Sequence, residues 1–234
     1  LTGRLRERLD QELPELSHGM LALLWPHYLR PIPAMTTLEF VPTNPAAVTV
    51  PSGSAVASRP VEGTTCRFRT CWDLDVVPAT IAQAVYEAGA SAATLTLTLR
   101  MTQGAPATML AGHRLRLFLH GERDPRLGPR LLRALMTDLE FIEIGPTRHR
   151  LPPDALHHAG FAANEAAIPW PENAFPGFRL MQEYLAFPEK FLFVELPVLP
   201  DAALLGESVT LTFRFARVPD LPGRISGDNF RLNC

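Results

Sequence analysis

Residues 94–101 have the sequence Thr-Leu-Thr-Leu-Thr-Leu-Arg-Met, which is the clearest alternation in the chain. In an extended backbone the three leucines and Met101 face one way, and the threonines and Arg100 face the other. A strand with one apolar face and one polar face is typical of an antiparallel sheet that covers a core on one side. The same period of two recurs at residues 114–120 and 209–218. The chain is therefore expected to contain a half-buried antiparallel sheet.

Shorter extended segments lie on both sides of this strand and are divided by prolines. They are residues 38–40, 48–50, 66–70, 141–144 and 191–198. The chain has 23 prolines among 234 residues, roughly twice the typical share of 5%. Because proline fixes φ and lacks the N–H that a sheet interior needs, we expect short strands joined by stiff turns.

Three segments show a helical period instead. Near the N-terminus, apolar residues recur at spacings of three and four, and Pro14 suits the first turn of a second helix. The members of this apolar stripe are Leu5, Leu9, Leu13, Leu16, Met20, Leu23 and Leu24. Asp124-Pro125 predicts another helix start, with Asp as the cap. A third helix is predicted at about 178–186, ended by Pro188.

These elements predict an α+β, β-rich fold. We expect short-stranded antiparallel, β-sandwich-like sheets with helical insertions and an N-terminal helical segment. We divide the sequence into a helical lead-in at residues 1–33, a β-rich domain at 34–145 and a second β-rich portion at 146–234. Since the chain begins at Leu1 and not at Met and ends abruptly at Asn-Cys, we expect it to be an excised piece of a longer polypeptide.

The composition disfavours several classes of function. The formal net charge is −2 at pH 7, whereas a dedicated nucleic-acid binder carries a basic excess. The longest apolar run, around Met20 to Trp25, is too short to span a bilayer. Three cysteines, an odd number, fit a reducing cytosolic compartment better than a disulfide framework. We therefore expect no nucleic-acid partner and no direct membrane insertion.

The sequence lacks the motifs of common catalytic and cofactor sites. It has no phosphate-binding loop, no glycine pattern for dinucleotides, no nucleophile elbow and no His-Glu-x-x-His. Cys66 and Cys71 lack a second Cys or His pair at zinc-ligand spacing. Paired carboxylates at Glu183 and Glu189 leave a β-rich carbohydrate-active enzyme as the alternative. We predict no catalytic residue, no metal and no cofactor.

Two aromatic segments stand apart from this pattern. One contains Trp25, Tyr28, Arg30 and Pro31, and the other is residues 178–193. Trp, Tyr and Arg dominate the energetics of protein interfaces. The alternative is that the rings fill the interior, in which case truncation of Tyr184 or Phe187 to alanine costs about 3–5 kcal/mol.

The same segments resemble the TssF family (also called VasA or ImpG) of the bacterial type VI secretion system. Matching blocks lie at residues 9–16, 28–33, 66–70, 115–121, 180–193 and 229–234. The longest, Leu-Met-Gln-Glu-Tyr-Leu-Ala-Phe-Pro-Glu-Lys-Phe-Leu-Phe, is the most specific, with a mild departure from the family at Leu185. The positions that we expect in an interface or in the core are Trp25, Tyr28, Arg30, Pro31, Arg67, Phe68, Gln182, Glu183, Tyr184, Phe187, Pro188, Glu189, Lys190, Phe191, Arg231 and Asn233.

The resemblance implies a non-enzymatic, structural role in protein secretion. In that family two TssF copies join TssG to form the core of a baseplate wedge, which contacts TssK and the sheath-initiating TssE. Six wedges surround the VgrG spike, at the cytoplasmic face of the inner-membrane complex. The resemblance implies no catalytic residue. A wedge protein of a phage-tail baseplate is the alternative that the residues alone leave open.

Overall fold

The first element of the chain is a long, unbroken helix. The computed structural model describes residues 2–25, 28–122, 124–171, 174–222 and 224–234, and within helix α1 the side chains of residues 2 and 4–13 lie outside this description. Helix α1 spans Thr2–Leu24 and passes through Pro14. The second helix that we predicted to begin there is therefore absent.

The apolar stripe of α1 can be followed over its second half only. Leu5, Leu9 and Leu13 fall outside the described side chains, whereas Leu16, Met20, Leu23 and Leu24 are exposed. Pro14 is also exposed. Because a proline inside a helix removes one backbone hydrogen bond, an exposed position leaves water free to satisfy the carbonyl that loses its donor.

The remaining elements among the described residues are two α-helices, thirteen strands and six short 3₁₀ turns. The helices are α2 (Leu127–Thr137) and α3 (Pro176–Ala186). The strands are β1 (Val48–Val50), β2 (Ala55–Ala57), β3 (Arg67–Arg69), β4 (Leu74–Val76), β5 (Ala79–Ala88), β6 (Ala93–Met101), β7 (Leu115–Leu119), β8 (Leu139–Gly145), β9 (His149–Leu151), β10 (His157–His158), β11 (Phe193–Leu196), β12 (Ser208–Phe215) and β13 (Phe230–Leu232). This architecture confirms the predicted α+β, β-rich class.

The strands form two larger sheets and two ribbons, all antiparallel. The five-stranded sheet has the order β5-β6-β12-β8-β9, and the four-stranded sheet has the order β10-β11-β7-β13. The ribbons pair β1 with β4 and β2 with β3. No helix among the described residues has the length and apolarity that crossing a bilayer requires.

The core lies between the two larger sheets. The leucines of β6 are buried as predicted, and Leu97 lies opposite Leu211 of β12 in the register. Leu117 of β7 and Phe230 of β13 belong to the same buried cluster. Helix α2 adds Leu131 to it. One apolar interior therefore serves both sheets.

Strands from both sides of residue 145 are hydrogen-bonded in these sheets. In the five-stranded sheet β12 lies between β6 and β8, and in the four-stranded sheet β7 lies between β11 and β13. The division of the sequence into three parts, at residues 33 and 145, stays a prediction.

Several boundaries differ from the sequence-based expectation. The strand predicted at residues 38–40 is wrong: this segment belongs to no sheet and makes one backbone hydrogen bond, from Phe40 N–H to the carbonyl of Asn233 at 2.9 Å. Prolines 42 and 45 lack the donors that would continue a ladder. The strand predicted at 191–198 ends at Leu196 because Pro197 follows.

Two further boundaries move for local reasons. Helix α2 begins at Leu127, because Asp124 first caps a turn by accepting a hydrogen bond from Arg126 N–H at 2.9 Å. The strand predicted at 209–218 ends at Phe215, next to a register shift against β8.

Strand β5 had no counterpart among the predicted strands. It contains a register shift between Ile81 and Gln83. A bulge of this kind interrupts the alternation that identifies a strand in sequence.

Candidate interaction surface on helix α3

Helix α3 is delimited by prolines at both ends. Pro176 is its first residue, where a missing N–H costs nothing, and Phe175 before it has the extended backbone of a cap. The helix ends at Ala186 because Pro188 forces residue 187 out of the helical region. Residues Pro188–Phe191 then form a 3₁₀ turn.

The inner face of this segment buries charge. Glu183 is fully buried and Lys190 is 1% exposed. The ammonium of Lys190 donates a hydrogen bond to Oε2 of Glu183. Oε1 of Glu183 accepts from the N–H groups of Ala167 and Ile168, at 2.7 and 3.3 Å. One carboxylate therefore joins the helix, the following turn and a distant loop.

Arg179 completes this arrangement one turn earlier on the helix. It is 4% exposed, and its guanidinium donates to the carbonyl oxygens of residues 161, 162 and 163 at 3.0, 3.1 and 3.2 Å. Its Nε lies 4.0 Å from Oε2 of Glu183. We call Arg179, Glu183 and Lys190 the α3 charge cluster.

Burial shifts the pKa of Lys190 in the α3 charge cluster. It holds the pKa of Lys190 below its ordinary value, although the bond to Glu183 works against this shift. The nearby thiol of Cys71 has a raised pKa, first because it is buried. Buried ions of this kind are stabilised only when each finds its partner, so the three side chains fix the orientation of the helix.

A second group of charges lies beside the first. Arg116 of β7 donates to Glu165 at 2.7 Å and to Glu195 of β11 at 2.9 Å, and Arg114 also binds Glu195 at 2.9 Å. Glu165 accepts in addition from Gly160 N–H at 2.8 Å. We call these four charged residues the strand charge cluster.

The pKa of Glu195 reflects this environment. Burial alone raises the pKa of this carboxyl, but the hydrogen bonds from Arg114 and Arg116 outweigh burial and leave the pKa below its ordinary value.

The outer face of α3 is apolar. Leu185 is 80% exposed and Met181 is 61% exposed. With Phe175, Phe178 and Tyr184 they form one exposed row at helical spacing, which we call the α3 stripe. Contiguous apolar side chains on a surface mark sites of interaction. Helix α3 is thus inverted relative to an ordinary surface helix, since its charges are inside and its apolar residues outside.

Aromatic contacts extend the α3 stripe at both ends. Trp25, just beyond α1, packs edge-on against Phe178 with ring centroids 5.9 Å apart. Tyr184 packs against Phe191, which in turn contacts Phe161, at 5.9 and 5.1 Å. The two aromatic segments singled out in the sequence therefore meet at α3.

The other predicted positions divide between surface and interior. Phe191 is buried, whereas Phe68, Gln182 and Phe187 are half-buried. Those on the surface are Trp25, Tyr28, Arg30, Pro31, Arg67, Tyr184, Pro188 and Glu189. Whether the exposed members contact a partner stays a prediction.

The C-terminal signature residues join the two sheets. Asn233 is buried, with φ of +60°, a conformation that asparagine tolerates better than most residues. Its side-chain oxygen accepts from Val77 N–H at 2.9 Å, and its amide donates to the Val77 carbonyl at 3.0 Å. Arg231 is half-buried and lies 3.3 Å from Asp228 and 3.7 Å from Glu39.

Glu183 and Glu189, the two carboxylates considered for glycoside hydrolysis, do not face a common cavity. Glu183 is buried and bonded to Lys190, whereas Glu189 is exposed. Neither lines the cavity of about 140 Å³ beside β13 or the groove of about 420 Å³ on the outer face of the five-stranded sheet. Within the described part of the chain, no group of three His, Cys, Asp or Glu could hold a metal ion.

Three residues of the two charge clusters have no marked signal in the sequence: Arg179, Arg116 and Glu165. Arg179 and Glu183 are four residues apart on one helix face, which usually indicates a solvated ion pair. Arg116 and Glu195 lie opposite each other in the β7–β11 register, a pairing that appears only once the sheet is assembled.

Comparison with known proteins identifies the family. A sequence model described as "Type VI secretion system, TssF" matches residues 1–234. The chain belongs to the TssF family. Among curated TssF proteins, it is 32% identical over 241 residues to "Type VI secretion system component TssF1" of Pseudomonas aeruginosa, an alignment that covers 93% of this chain and 39% of that one.

A chain in a solved structure has the same fold. It is a chain of the TssK-TssF-TssG baseplate subcomplex determined by cryo-electron microscopy, with a TM-score of 0.82 and 28% sequence identity. The match covers 100% of this chain and 46% of that chain. This TssF chain therefore spans less than half the length of the two relatives.

Proposed function

We propose that this chain is part of a non-enzymatic structural subunit of the type VI secretion baseplate wedge, which scaffolds assembly of the contractile machine around its spike. Membership of the TssF family supports the proposal. So does the likeness to a chain from the TssK-TssF-TssG baseplate subcomplex.

The observation that carries the proposal is the inversion of helix α3. The α3 stripe presents large apolar side chains to solvent, where their removal from water favours association by about 25 cal/mol per Å². The α3 charge cluster holds the helix by its other face. A rigid surface loses less conformational entropy on binding than a mobile one. The α3 stripe therefore suits a permanent contact between subunits.

The proposed partners follow from the family. They are TssG and TssK, a second TssF copy, TssE and the VgrG spike, with the assembly at the cytoplasmic face of the inner-membrane complex. We assign the α3 stripe to a contact with TssG or TssK, which are the subunits present with the solved relative. No nucleic acid, cofactor or reaction is part of this role.

Co-purification tests the proposal with a matched pair of variants. The tagged chain is co-expressed with TssG and TssK of the same bacterium, and the retained subunits are quantified. Leu185→Lys places a charge in the α3 stripe near the helix C-terminus, where a cation is tolerated. Leu205→Lys is the control, because Leu205 is an exposed leucine outside the α3 stripe.

We expect the unmodified chain and the Leu205→Lys control to retain TssG and TssK. Leu185→Lys should reduce the retained amount at least tenfold while its melting temperature stays that of the control. Failure of the unmodified chain to retain either subunit would contradict the baseplate role. Equal retention of TssG and TssK by both variants would instead show that these subunits bind the chain outside the α3 stripe.

A further inference from the structure

The ribbon of β2 and β3 belongs to a longer hairpin. Beyond the paired strands, Ser58 N–H donates to the Cys66 carbonyl at 2.9 Å, and the backbones of Val61 and Thr64 bond each other. The two residues between Val61 and Thr64 have φ of +49° and +80°, as in the tight turns that close two-stranded hairpins. Residues 54–70 are therefore a defined hairpin, which we call the basic arm.

The basic arm receives little support from the rest of the chain. None of its residues is buried, and none belongs to the buried apolar clusters of the described residues. The hydrogen bonds of its residues all end within residues 51–70. A two-stranded hairpin is at best marginally stable by itself in water. Contact with another surface would therefore stabilise the basic arm.

The base of the basic arm is held by several contacts. The carboxylate of Asp73 accepts from Ser52 N–H at 2.7 Å, and the Ser52 hydroxyl donates to the Cys71 carbonyl at 3.0 Å. Trp72 packs edge-on against Phe193 of β11, with ring centroids 5.5 Å apart. The basic arm therefore starts from a fixed base, which lowers the entropy that it loses when it binds a partner.

One face of the basic arm presents two arginines beside two small residues. Arg67 lies opposite Ala57, and Arg69 lies opposite Ala55. Residues directly opposite each other share a face of the ribbon, and all four are exposed. The two arginines are two positions apart on β3, about 7 Å at 3.4 Å per residue. The alanines leave both guanidinium groups open to a side chain that approaches from outside.

The positive charges of the basic arm have no counter-charge. Arg59, Arg67 and Arg69 are exposed, and none makes a hydrogen bond, ion pair or ring contact through its side chain within the described part of the chain. Residues 51–70 contain these three arginines and one glutamate, a formal charge of +2, in a chain whose net charge is −2. The arginines are therefore available to an acidic partner.

We propose that the basic arm binds an acidic face of another protein of the baseplate, whose carboxylates pair with Arg67 and Arg69. A guanidinium is a planar fork that matches a carboxylate, and such bonds are stronger than neutral ones. Carboxylates one turn apart on a helix, or two positions apart on a strand, have the spacing of the two arginines. This inference rests on the proposed function, because it adds a second contact to that of the α3 stripe.

Phosphate surfaces fit the basic arm less well than a protein does. A nucleic acid or an anionic membrane extends over a large area and repels a chain whose net charge is −2. Glu62 lies in the turn at the end of the hairpin, where such a surface would meet the arm first. A limited acidic patch on a protein reaches the arginines from the side of the hairpin and avoids this carboxylate.

Carbodiimide cross-linking tests the contact, because this reagent joins an amine directly to a carboxylate without a spacer. The chain has one lysine, Lys190, which is 1% exposed, so an introduced lysine supplies a distinct reactive amine. Arg67→Lys keeps the charge of the basic arm and adds the amine. Arg100→Lys is the matched control, since Arg100 is an exposed arginine of β6 outside the arm. Each tagged variant is co-expressed with TssE, TssG and TssK.

We expect Arg67→Lys, and not Arg100→Lys, to be cross-linked to one of these subunits, at an Asp or Glu that mass spectrometry of the digested product identifies. Absence of this product in a chain that still retains TssG and TssK would overturn the arm contact and leave the proposed function intact. Failure to retain either subunit would overturn both. A product that joins two copies of this chain would also overturn the proposal.

Charge reversal measures what the contact contributes. Arg67→Glu with Arg69→Glu sets like charges against the acidic face, so retention of the cross-linked subunit should fall at least about tenfold. The melting temperature should be unchanged, because both residues are exposed. Arg100→Glu is the control.

Unchanged retention by the reversed variant would overturn the proposal, because the arginines would then only keep the edges of the ribbon from unwanted pairing. Duplex DNA and vesicles of phosphatidylserine are tested in parallel with the unmodified chain. Binding of either one that is lost on charge reversal would assign the basic arm to phosphate groups and would likewise overturn the proposal.

Discussion

The five-stranded sheet and helix α3 bury opposite kinds of side chain. Strands β6 and β12 turn leucines and phenylalanines inward and threonines outward. Helix α3 turns Arg179 and Glu183 inward and the apolar α3 stripe outward. The sheet thus obtains its stability from apolar burial, whereas α3 is held by ions and leaves its apolar face exposed.

This difference in what is buried explains how one chain combines a stable core with an exposed apolar surface. Apolar burial is tolerant of small shifts, but a buried ion pair requires its partners in defined positions. The α3 charge cluster binds backbone groups of residues 161–163 and 167–168, so it fixes α3 against that loop. The α3 stripe therefore has a defined orientation, which a subunit contact needs.

The largest effect is expected from breaking the α3 charge cluster. Glu183→Ala leaves Lys190 buried without its carboxylate, and the free energy of unfolding should fall by about 3–5 kcal/mol. Urea unfolding at neutral pH measures this loss. The matched control, Glu183→Gln with Lys190→Met, removes the buried ion pair but keeps an amide oxygen for the N–H groups of Ala167 and Ile168, and should recover most of the stability. A double variant as unstable as Glu183→Ala would argue against an ionic role for the pair.

A core truncation in the sheet should cost a similar or smaller amount. Leu97→Ala removes a fully buried side chain at the centre of β6, with an expected loss of about 2–5 kcal/mol. Its neighbour Thr98 faces outward, and Thr98→Ala should change stability by about 0.5 kcal/mol or less. The same unfolding experiment checks both. Equal losses at the two positions would be inconsistent with a one-sided core.

Strand β6 could be predicted because its signal is local. Each leucine of 95–99 is followed by a polar residue, and the sheet simply buries the apolar side. Strand β5 lacks that signal, since its bulge shifts the alternation and alanines occupy four of its ten positions. Strand pairing, including the position of β12 between β6 and β8, depends on contacts far apart in sequence.

The candidate surface was predictable only in part. Residues 178–186 have helical spacing, and the abundance of aromatic residues indicated an interface or a core. The orientation of α3 could not be predicted, because Arg179 and Glu183 would ordinarily face water. Their burial depends on carbonyl and N–H groups of residues 161–168, which reach α3 only in the folded chain.

A smaller effect is expected on the outer face of α3. Tyr184 is 59% exposed, which favours the interface interpretation of this ring over the interior one. Tyr184→Ala should therefore lower the free energy of unfolding by about 1 kcal/mol or less, from the loss of its contact with Phe191. Thermal or urea unfolding beside the unmodified chain measures the change. A loss as large as that of Leu97→Ala would mean that the α3 stripe is part of the core.

The smallest effect is expected from the strand charge cluster. Because the pKa of Glu195 is lower in the folded chain than in the unfolded one, its contribution is complete above the ordinary carboxyl pKa, and is lost as pH falls through the folded pKa. Unfolding free energies measured from neutral pH into the acid range should fall less steeply for Glu195→Gln. Identical slopes would show that Arg114 and Arg116 do not stabilise this carboxylate.

Thiol labelling tests the central claim most directly. Leu185→Cys, made with Cys66→Ser, places one accessible thiol in the α3 stripe, and Leu205→Cys is the control in the same background. In the free chain both should react with a maleimide rapidly. In the complex with TssG and TssK, we expect the thiol at residue 185 to react at least tenfold more slowly while the control is unchanged. Equal labelling of residue 185 in the free and the assembled chain would contradict the account.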